Sequence, residues 1–194
     1  LRDEFAAFFA DTSKFALGAC NGCQMLANLK SIIPGAAHWP QFVRNASEQY
    51  EARLATLEVL DSPSIFFKGM VGARIPVAVA HGEGRTVFAD AADAKRAQAS
   101  VRFVDNRGRA TERFPLNSNG SGSGNAGFTA AQGRVTILMQ HPERVFRSVH
   151  MSLRPRDVGE DSPWQRRVRK AGVGVGGCEV VRHEVLLGRQ GQRW

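Results

Sequence analysis

The stretch Gly18-Ala19-Cys20-Asn21-Gly22-Cys23-Gln24 decides the fold, because it follows directly on the short apolar run Phe15-Ala16-Leu17. A strand that ends in Gly-x-Cys-x-Gly and continues as a helix is typical of a nucleophile elbow, in which small residues allow a sharp backbone turn. Such a turn exposes the thiol above the sheet, and the helix N-terminus favours the thiolate form. Cys20 is therefore predicted to be a nucleophile, and Cys23 a helix residue that faces the core.

A second apolar run, Val135–Met139, predicts a strand that leads to His141-Pro142-Glu143. A cysteine, a histidine and a carboxylate at the C-terminal ends of strands are the components of a nucleophilic acyl-transfer site. We predict that His141 is the general base that takes up the Cys20 proton and later returns it. Glu143 is predicted to orient the imidazole and to stabilise its charged form.

A thiol pair is the alternative reading of the same stretch, because Cys20 and Cys23 also form a C-x-x-C motif. Redox motifs of this kind also lie at the N-terminus of a helix, so the local residues do not exclude that alternative. A zinc site would need a second pair of ligands, and the other cysteine is Cys178, far along the chain. No metal site is predicted.

The motif around Cys20 resembles that of the class I glutamine amidotransferases, in which Gly18 and Gln24 also have a place. Five further segments, in the same order along the chain, resemble the C-terminal glutaminase domains of phosphoribosylformylglycinamidine synthases. They are Phe42-Val43-Arg44-Asn45, Tyr50-Glu51-Ala52-Arg53, His81-Gly82-Glu83-Gly84-Arg85, Asn119-Gly120-Ser121 and His141-Pro142-Glu143-Arg144.

The resemblance implies a flavodoxin-like, three-layer α/β fold with a mostly parallel central sheet flanked by helices. It implies hydrolysis of glutamine through a Cys-His-Glu triad, with the ammonia used for ATP-dependent amidation of formylglycinamide ribonucleotide in purine biosynthesis. The implied partner is a synthetase portion, fused or separate, which would hold ATP and magnesium outside this chain; no cofactor is expected within it. The substrate-binding residues implied are Gln24, Arg44, Asn45, His81, Glu83, Asn119 and Gly120.

The resemblance covers residues 1–166 and gives way to an atypical basic tail, 167–194, rich in Gly, Val and Arg. A shifted reading frame or disorder is our hypothesis for this tail. The strand–helix units that precede the nucleophile in the family are not found ahead of Cys20. The resemblance therefore predicts an N-terminally truncated domain that is inactive as an isolated fragment.

Two alternatives to this function remain. The first is a glutaminase domain that serves another synthetase, against which the segments at 50–53 and 81–85 argue. The second is an inactive fragment that acts only as an interaction module. Reactivity of the Cys20 thiol distinguishes them, because a binding module has no need of an activated thiolate.

The bulk composition narrows the class of protein further. The 194 residues are 43% hydrophobic, which suits one globular domain, and no run approaches the length of a membrane span. The net charge is +8, but the tail holds six Lys/Arg against two Asp/Glu, so half the excess lies there. A nucleic-acid partner is therefore not predicted. Three cysteines and the lack of a leader segment favour the cytoplasm.

Hydrophobic periodicity predicts three helices and a set of strands. The predicted helices cover residues 1–10, 21–32 and 91–99. The predicted strands cover residues 15–17, 51–60, 74–80 and 101–104, followed by a hairpin of 128–131 with 134–139. Residues 117–125, rich in Asn, Ser and Gly, are predicted to form a loop.

Overall fold

The computed structural model describes residues 1–151, together with the backbone of residues 179–181 and 185–189. The helices are α1 (Arg2–Ala10), α2 (Asn21–Asn28) and α3 (Ala91–Arg96). The first eight strands are β1 (Lys14–Ala19), β2 (Gln41–Arg44), β3 (Glu51–Val59), β4 (Arg74–His81), β5 (Glu83–Val87), β6 (Gln98–Phe103), β7 (Asn125–Ala130) and β8 (Val135–Leu138). The last two strands are β9 (Glu179–Val181) and β10 (Val185–Arg189).

The central sheet has eight strands in the order β4-β3-β6-β7-β8-β1-β10-β9, and β2 pairs with β5 in a separate ribbon. The α/β class is confirmed, but the sheet is mixed rather than mostly parallel. Among the described strand pairs, β1 with β8 is parallel and the others are antiparallel. The reason is connection length: the three-residue turn 131–133 can only reverse the chain, whereas a parallel pair needs a long crossover.

Two predicted helices end earlier than expected. In α2 the spacing of apolar residues continues past Asn28, but the backbone tightens into i→i+3 turns, as in the hydrogen bond from Ile32 N–H to Leu29 O. The helix predicted over 91–99 stops at Arg96, because β6 begins at Gln98, where it pairs with Thr129 of β7. Long-range pairing thus overrides the helical propensity of the local sequence.

Two clusters of buried side chains form the core. One contains α1 and α2 residues packed on β7 and β8, and its largest members are Phe9, Leu26, Trp39, Phe128 and Ile137. The other lies on β3, β4 and β6, with Leu57, Ile75 and Phe103 among its members. Phe67, from the irregular segment between β3 and β4, also belongs to this second cluster.

The tail was predicted to be atypical, and no strand was predicted in it. Its described backbone forms β9 and β10, and β10 pairs antiparallel with β1 on the side away from β8. The rest of the predicted tail lies outside the described residues, so its origin and the division at residue 166 stay predictions.

Arg134 ties α1 to the sheet from a buried position. Its guanidinium donates hydrogen bonds to the carbonyl oxygens of Phe9 and Asp11, at the C-terminal end of α1, at 3.2 and 2.9 Å, and to that of Lys14, the first residue of β1, at 2.7 Å. Carbonyls at a helix C-terminus lack partners within the helix and favour a positive charge.

Replacing Arg134 by methionine should lower the free energy of unfolding by about 2–4 kcal/mol, because the buried Phe9 carbonyl and two partly buried carbonyls lose a charged donor. Urea denaturation measures the loss. The matched control is Arg102→Met, which removes a half-exposed ion pair with Glu58 and should cost less than about 1 kcal/mol. Equal losses of free energy in the two variants would show that the Arg134 hydrogen bonds stabilise the fold no more than the Arg102–Glu58 ion pair does.

Candidate active site

Cys20 lies between a strand and a helix in a strained backbone conformation. It is the N-cap of α2, directly after β1, with φ 49° and ψ −110°. A positive φ at a residue with a side chain is uncommon and occurs preferentially at functional positions. Gly18 permits the turn, because a Cβ there would approach within 2.7 Å of the Gly22 carbonyl oxygen. The predicted strand-to-helix turn at Cys20 is confirmed.

The parallel pairing of β1 with β8 brings the predicted base to the same edge of the sheet. Cys20 N–H donates to Leu138 O at 3.0 Å, and His141 follows three residues later. His141 is fixed from the other side, because its N–H donates to Ala78 O on β4 at 2.8 Å. The backbone therefore holds Cys20 and His141 in neighbouring positions.

His141 and Glu143 form a tight pair. The distance from His141 Nδ1 to Glu143 Oε1 is 2.6 Å, and Glu143 lies in the short 3₁₀ helix Pro142–Val145. The imidazole is buried, whereas the Glu143 carboxylate is about half exposed. With Nδ1 engaged by the carboxylate, Nε2 is the nitrogen left to exchange a proton with a thiol.

The electrostatics of His141 favour its charged form. Burial lowers the pKa of the imidazole, but the side chains of Cys20 and Glu143 outweigh it and raise that pKa to about 9. Nε2 is buried, and within the described part of the chain no geometric hydrogen bond reaches it, while Cys20 Sγ lies 4.0 Å from Ala80 O. A histidine that is protonated at neutral pH supports a thiolate beside it.

Cys23 faces the core, as predicted. Its side chain is fully buried in the cluster that contains α2, and burial, with a smaller contribution from Cys20, raises the pKa of its thiol well above the usual value. A thiol held in its neutral form is a poor nucleophile and a poor metal ligand. Its environment is therefore that of a packing residue.

His81 is a second buried histidine at this edge, at the end of β4. Both of its ring nitrogens are buried, and none of the described residues forms a hydrogen bond with either one. Burial and the nearby charge of His141 lower the His81 pKa to about 4, against a smaller opposing effect of Glu51. The ring fits there because residue 84 is glycine: a Cβ at that position would lie 2.1 Å from the ring. His81 is thus a neutral imidazole at neutral pH.

The low pKa of His81 predicts acid sensitivity of the fold. The unfolded chain takes up this proton near pH 6.5 and the folded chain only near pH 4, so the free energy of unfolding falls as the pH falls through that window. Between pH 6.5 and 5 the loss should be about 1.5 kcal/mol. Denaturant titrations at both pH values measure it.

The His81→Gln variant should lose this component of the pH dependence, since glutamine does not titrate. The control His150→Gln, at an exposed position, should keep it. If the His81 variant retains the full slope between pH 6.5 and 5, the acid sensitivity has another origin.

Asn45 and Asn119 hold the segment that carries His81. Asn45 Nδ2 donates to His81 O at 2.8 Å, and Asn45 Oδ1 accepts from Gly84 N–H at 3.0 Å. Asn119 Nδ2 donates to Gly84 O at 2.8 Å. Gly120 has a φ of 80° and donates its N–H to Asn117 Oδ1 within the predicted loop. These contacts are with protein groups, so direct contact of these three residues with substrate stays a prediction.

Gln24 and Arg44 both lie next to Glu83, since Gln24 contacts it and Arg44 of β2 pairs with it in β5. Gln24 Nε2 is 3.3 Å from both the carbonyl oxygen and Oε2 of Glu83. Arg44 is exposed, and its Nη2 donates to Glu48 O at 3.4 Å. Their contact with substrate also stays a prediction.

Two features of the site had no signal in the sequence. The first is the carbonyl of Ala80 beside the thiol, since any residue could supply it. The second is Gln140, directly before His141, whose side chain is fully buried and whose amide atoms form no hydrogen bond with residues that the structure describes. Only the packing of distant segments reveals either one.

Within the described residues, no group of three His, Cys, Asp or Glu side chains is placed to hold a metal ion. None of the helices there is both long and apolar enough to cross a membrane.

The fold and the site define a class: an α/β protein with a cysteine at a strand-to-helix turn and a histidine–carboxylate pair beside it. The chain belongs to the CobB/CobQ-like glutamine amidotransferase domain family, whose family model matches residues 1–172. It is therefore a glutamine amidotransferase domain. The family match confirms the resemblance of its motifs to those of glutamine amidotransferases.

Solved structures with a similar fold include PurLQS from Thermotoga maritima, with a TM-score of 0.53 and 24% sequence identity. The match covers 80% of this chain and 60% of that one, so the chain spans less than two thirds of the PurLQS chain. The comparison with solved structures also found a glutamine amidotransferase from the same organism, with a TM-score of 0.38, 23% identity and coverage of 66% of this chain and 40% of that one. At these identities, the PurLQS match supports the fold alone.

Proposed function

We propose that this chain is the glutaminase part of a phosphoribosylformylglycinamidine synthase. Its Cys20 thiolate would attack the side-chain amide carbon of glutamine, and His141 would give its proton to the departing ammonia. Water would then cleave the γ-glutamyl thioester, with His141 acting as the base. The backbone N–H of Asn21, the residue after the nucleophile, is the donor that an elbow offers to the developing oxyanion.

The observation that carries this proposal is the strained Cys20 backbone beside the His141–Glu143 pair. A φ of 49° lifts the thiol out of the sheet, and the 2.6 Å contact leaves Nε2 of the buried imidazole free. A purely structural cysteine needs neither a positive φ nor a histidine–carboxylate pair beside it. Membership of a glutamine amidotransferase family supplies the substrate.

The assignment to purine biosynthesis rests on the segments that resemble this synthase, with PurLQS as a similar fold. The ammonia would convert formylglycinamide ribonucleotide to its amidine in a synthetase portion that holds ATP and magnesium outside this chain. That portion is the proposed partner, and the cytoplasm the proposed location. A glutaminase domain of another synthetase is the second candidate, and a non-catalytic interaction module is the third.

Intact-mass measurement with an electrophilic glutamine analogue tests the proposal. We expect one adduct per chain, located on the Cys20 peptide and prevented by an excess of L-glutamine. An adduct that glutamine does not prevent would point to a reactive thiol without a glutamine site. The absence of any adduct at Cys20 would favour the interaction module.

A further inference from the structure

Two thiols lie at the start of α2, and the proposed hydrolysis of glutamine uses only one of them. Cys20 is the N-cap of the helix, and Cys23 lies within its first turn. Both are free cysteines among the described residues. Cys23 is a fully buried member of the core cluster that contains α2, and Cys20 is a partly buried residue packed against that same cluster. The helix therefore holds a second sulfur close to the one that solutes can reach.

The spacing of the two cysteines suits a disulfide. Gln24 N–H donates to Cys20 O at 3.1 Å, so the helical hydrogen bonds of α2 begin at Cys20. Residues three positions apart on a helix share one face, with Cβ atoms about 5–6 Å apart, whereas a disulfide needs about 3.5–4.5 Å. A shift of about 1–2 Å at Cys20 is enough to join the sulfurs. The N-cap can make this shift, because the N–H groups of the first helical turn have no partners within the helix to lose.

The electrostatics of the two thiols give them different roles. Cys20 is partly exposed and lies beside His141, whose pKa of about 9 keeps the imidazole charged at neutral pH and favours the thiolate. Burial, followed by the charge of Cys20, raises the pKa of the Cys23 thiol and keeps it neutral. The effect of one thiol on the other also supports their closeness, because Coulomb interactions weaken with distance. Peroxides oxidise exposed thiolates, so Cys20 is the thiol that reacts first.

We propose that Cys20 and Cys23 form a reversible disulfide in response to hydrogen peroxide, with Cys20 as the oxidised thiol and Cys23 as the resolving one. The Cys20 thiolate attacks one peroxide oxygen, the O–O bond breaks, and the departing hydroxide takes the proton of the His141 imidazolium to become water. Cys20 is then a sulfenic acid. The Cys23 sulfur attacks the Cys20 sulfur, the S–O bond breaks, and the hydroxyl group leaves with the Cys23 proton as a second water. The two thiols lose two electrons, which reduce one peroxide.

The position of Cys23 compensates for its weak reactivity. A neutral thiol is a poor nucleophile toward molecules in solution, but this one meets the sulfenic acid within one helical turn, where the effective concentration is high. The disulfide shields Cys20 from further oxidation to the sulfinic and sulfonic acids, and a thiol reductant reopens it. While it persists, the thiolate is lost to any covalent reaction. The inference goes beyond the proposed function, since it depends on the two thiols and not on a glutamine site.

The test is peptide mass spectrometry of the full chain after brief exposure to hydrogen peroxide. Trypsin cleaves after Lys14 and Lys30, so the peptide 15–30 contains Cys20 and Cys23 and no other cysteine. We expect this peptide to lose the mass of two hydrogen atoms and dithiothreitol to restore them. Alkylation of Cys20 by iodoacetamide, followed on the same peptide, should be lost with peroxide and regained with dithiothreitol.

The Cys23→Ala variant isolates the role of the resolving thiol. Without Cys23, dimedone should trap the Cys20 sulfenic acid, which should otherwise proceed to the sulfinic acid. After prolonged exposure to peroxide, dithiothreitol should restore about tenfold less Cys20 alkylation in this variant than in the unaltered chain. The matched control is Cys178→Ser, which removes the third cysteine and should leave the disulfide in place. The peptide of the unaltered chain decides the matter even if Cys23→Ala does not fold.

The outcomes separate this inference from the proposed function. If the peptide 15–30 keeps its hydrogen atoms while Cys20 passes to the sulfinic acid equally fast with and without Cys23, the inference fails. It also fails if the disulfide joins Cys20 to Cys178. The adduct of the electrophilic glutamine analogue judges the proposed function independently, because it can form in a chain that gives no disulfide. A chain that gives the disulfide but no adduct would support the inference and contradict the proposed function.

Discussion

In the assembly with the proposed synthetase portion, replacing Cys20 by alanine should lower the rate of glutamine hydrolysis by at least about 10⁴-fold, because the covalent route disappears with the thiol. The adduct of an electrophilic glutamine analogue should vanish as well. Ammonia release and intact mass measure the two effects. The fold should survive, since Cys20 is only partly buried. Alanine, like cysteine, carries a Cβ, so the positive φ strains both residues alike.

Cys23→Ala is the matched control for this prediction. The Cys23 thiol is buried, lies one helical turn away and has a raised pKa, so its removal should alter packing but leave the adduct in place. Hydrolysis or an adduct that persists in Cys20→Ala and disappears in Cys23→Ala would reverse the assignment of the nucleophile.

Replacing Glu143 by glutamine should lower the rate of adduct formation at neutral pH by about 10²–10³-fold. The carboxylate accepts from His141 Nδ1 at 2.6 Å, and its charge is one of the causes that raise the His141 pKa to about 9. Without that charge the imidazole is easier to deprotonate. The active pair of thiolate and imidazolium is then less populated, and the ring orientation is less strictly fixed.

The raised pKa of His141 sets the direction in which the pH dependence of Cys20 modification should change. With a His141 pKa raised to about 9, the imidazolium is present below that pH and is lost as the pH rises through it. The alkaline decline in the rate of Cys20 modification should therefore begin at lower pH in Glu143→Gln. Arg144→Gln removes the other, more exposed partner of Glu143, at 3.7 Å, and should change the rate only slightly. An unchanged alkaline limb in Glu143→Gln would mean that Glu143 does not set the charge of His141.

Local chemistry explains which parts of the site could be predicted. The elbow at Cys20 depends on small residues within four positions, and the His141–Glu143 pair on residues two positions apart with a proline between them. The turn that joins β7 to β8 is equally local. Each of these features is encoded by neighbours in sequence, so a short pattern is sufficient to predict it.

The roles of the predicted substrate-binding residues were harder to foresee. Asn45 and Asn119 are separated by 74 positions, yet both hold Gly84, so the polar groups that looked available for a ligand have protein partners. His81 differs from these two asparagines: burial keeps its ring neutral, and no described residue forms a hydrogen bond with its ring nitrogens. A sequence pattern carries the type of side chain but not the groups that other segments bring to it.

By itself the sequence determined the family, the candidate nucleophile at the strand-to-helix turn and the candidate base with its carboxylate, because these depend on local backbone conformation and on the order of short motifs. The tertiary structure alone decided that the sheet is mixed, that β1 and β8 lie side by side, and that Arg44, Glu48 and Glu83 line one pocket. The physical reason is that strand pairing, burial and the pKa values of His81 and His141 arise from contacts between segments far apart in the chain.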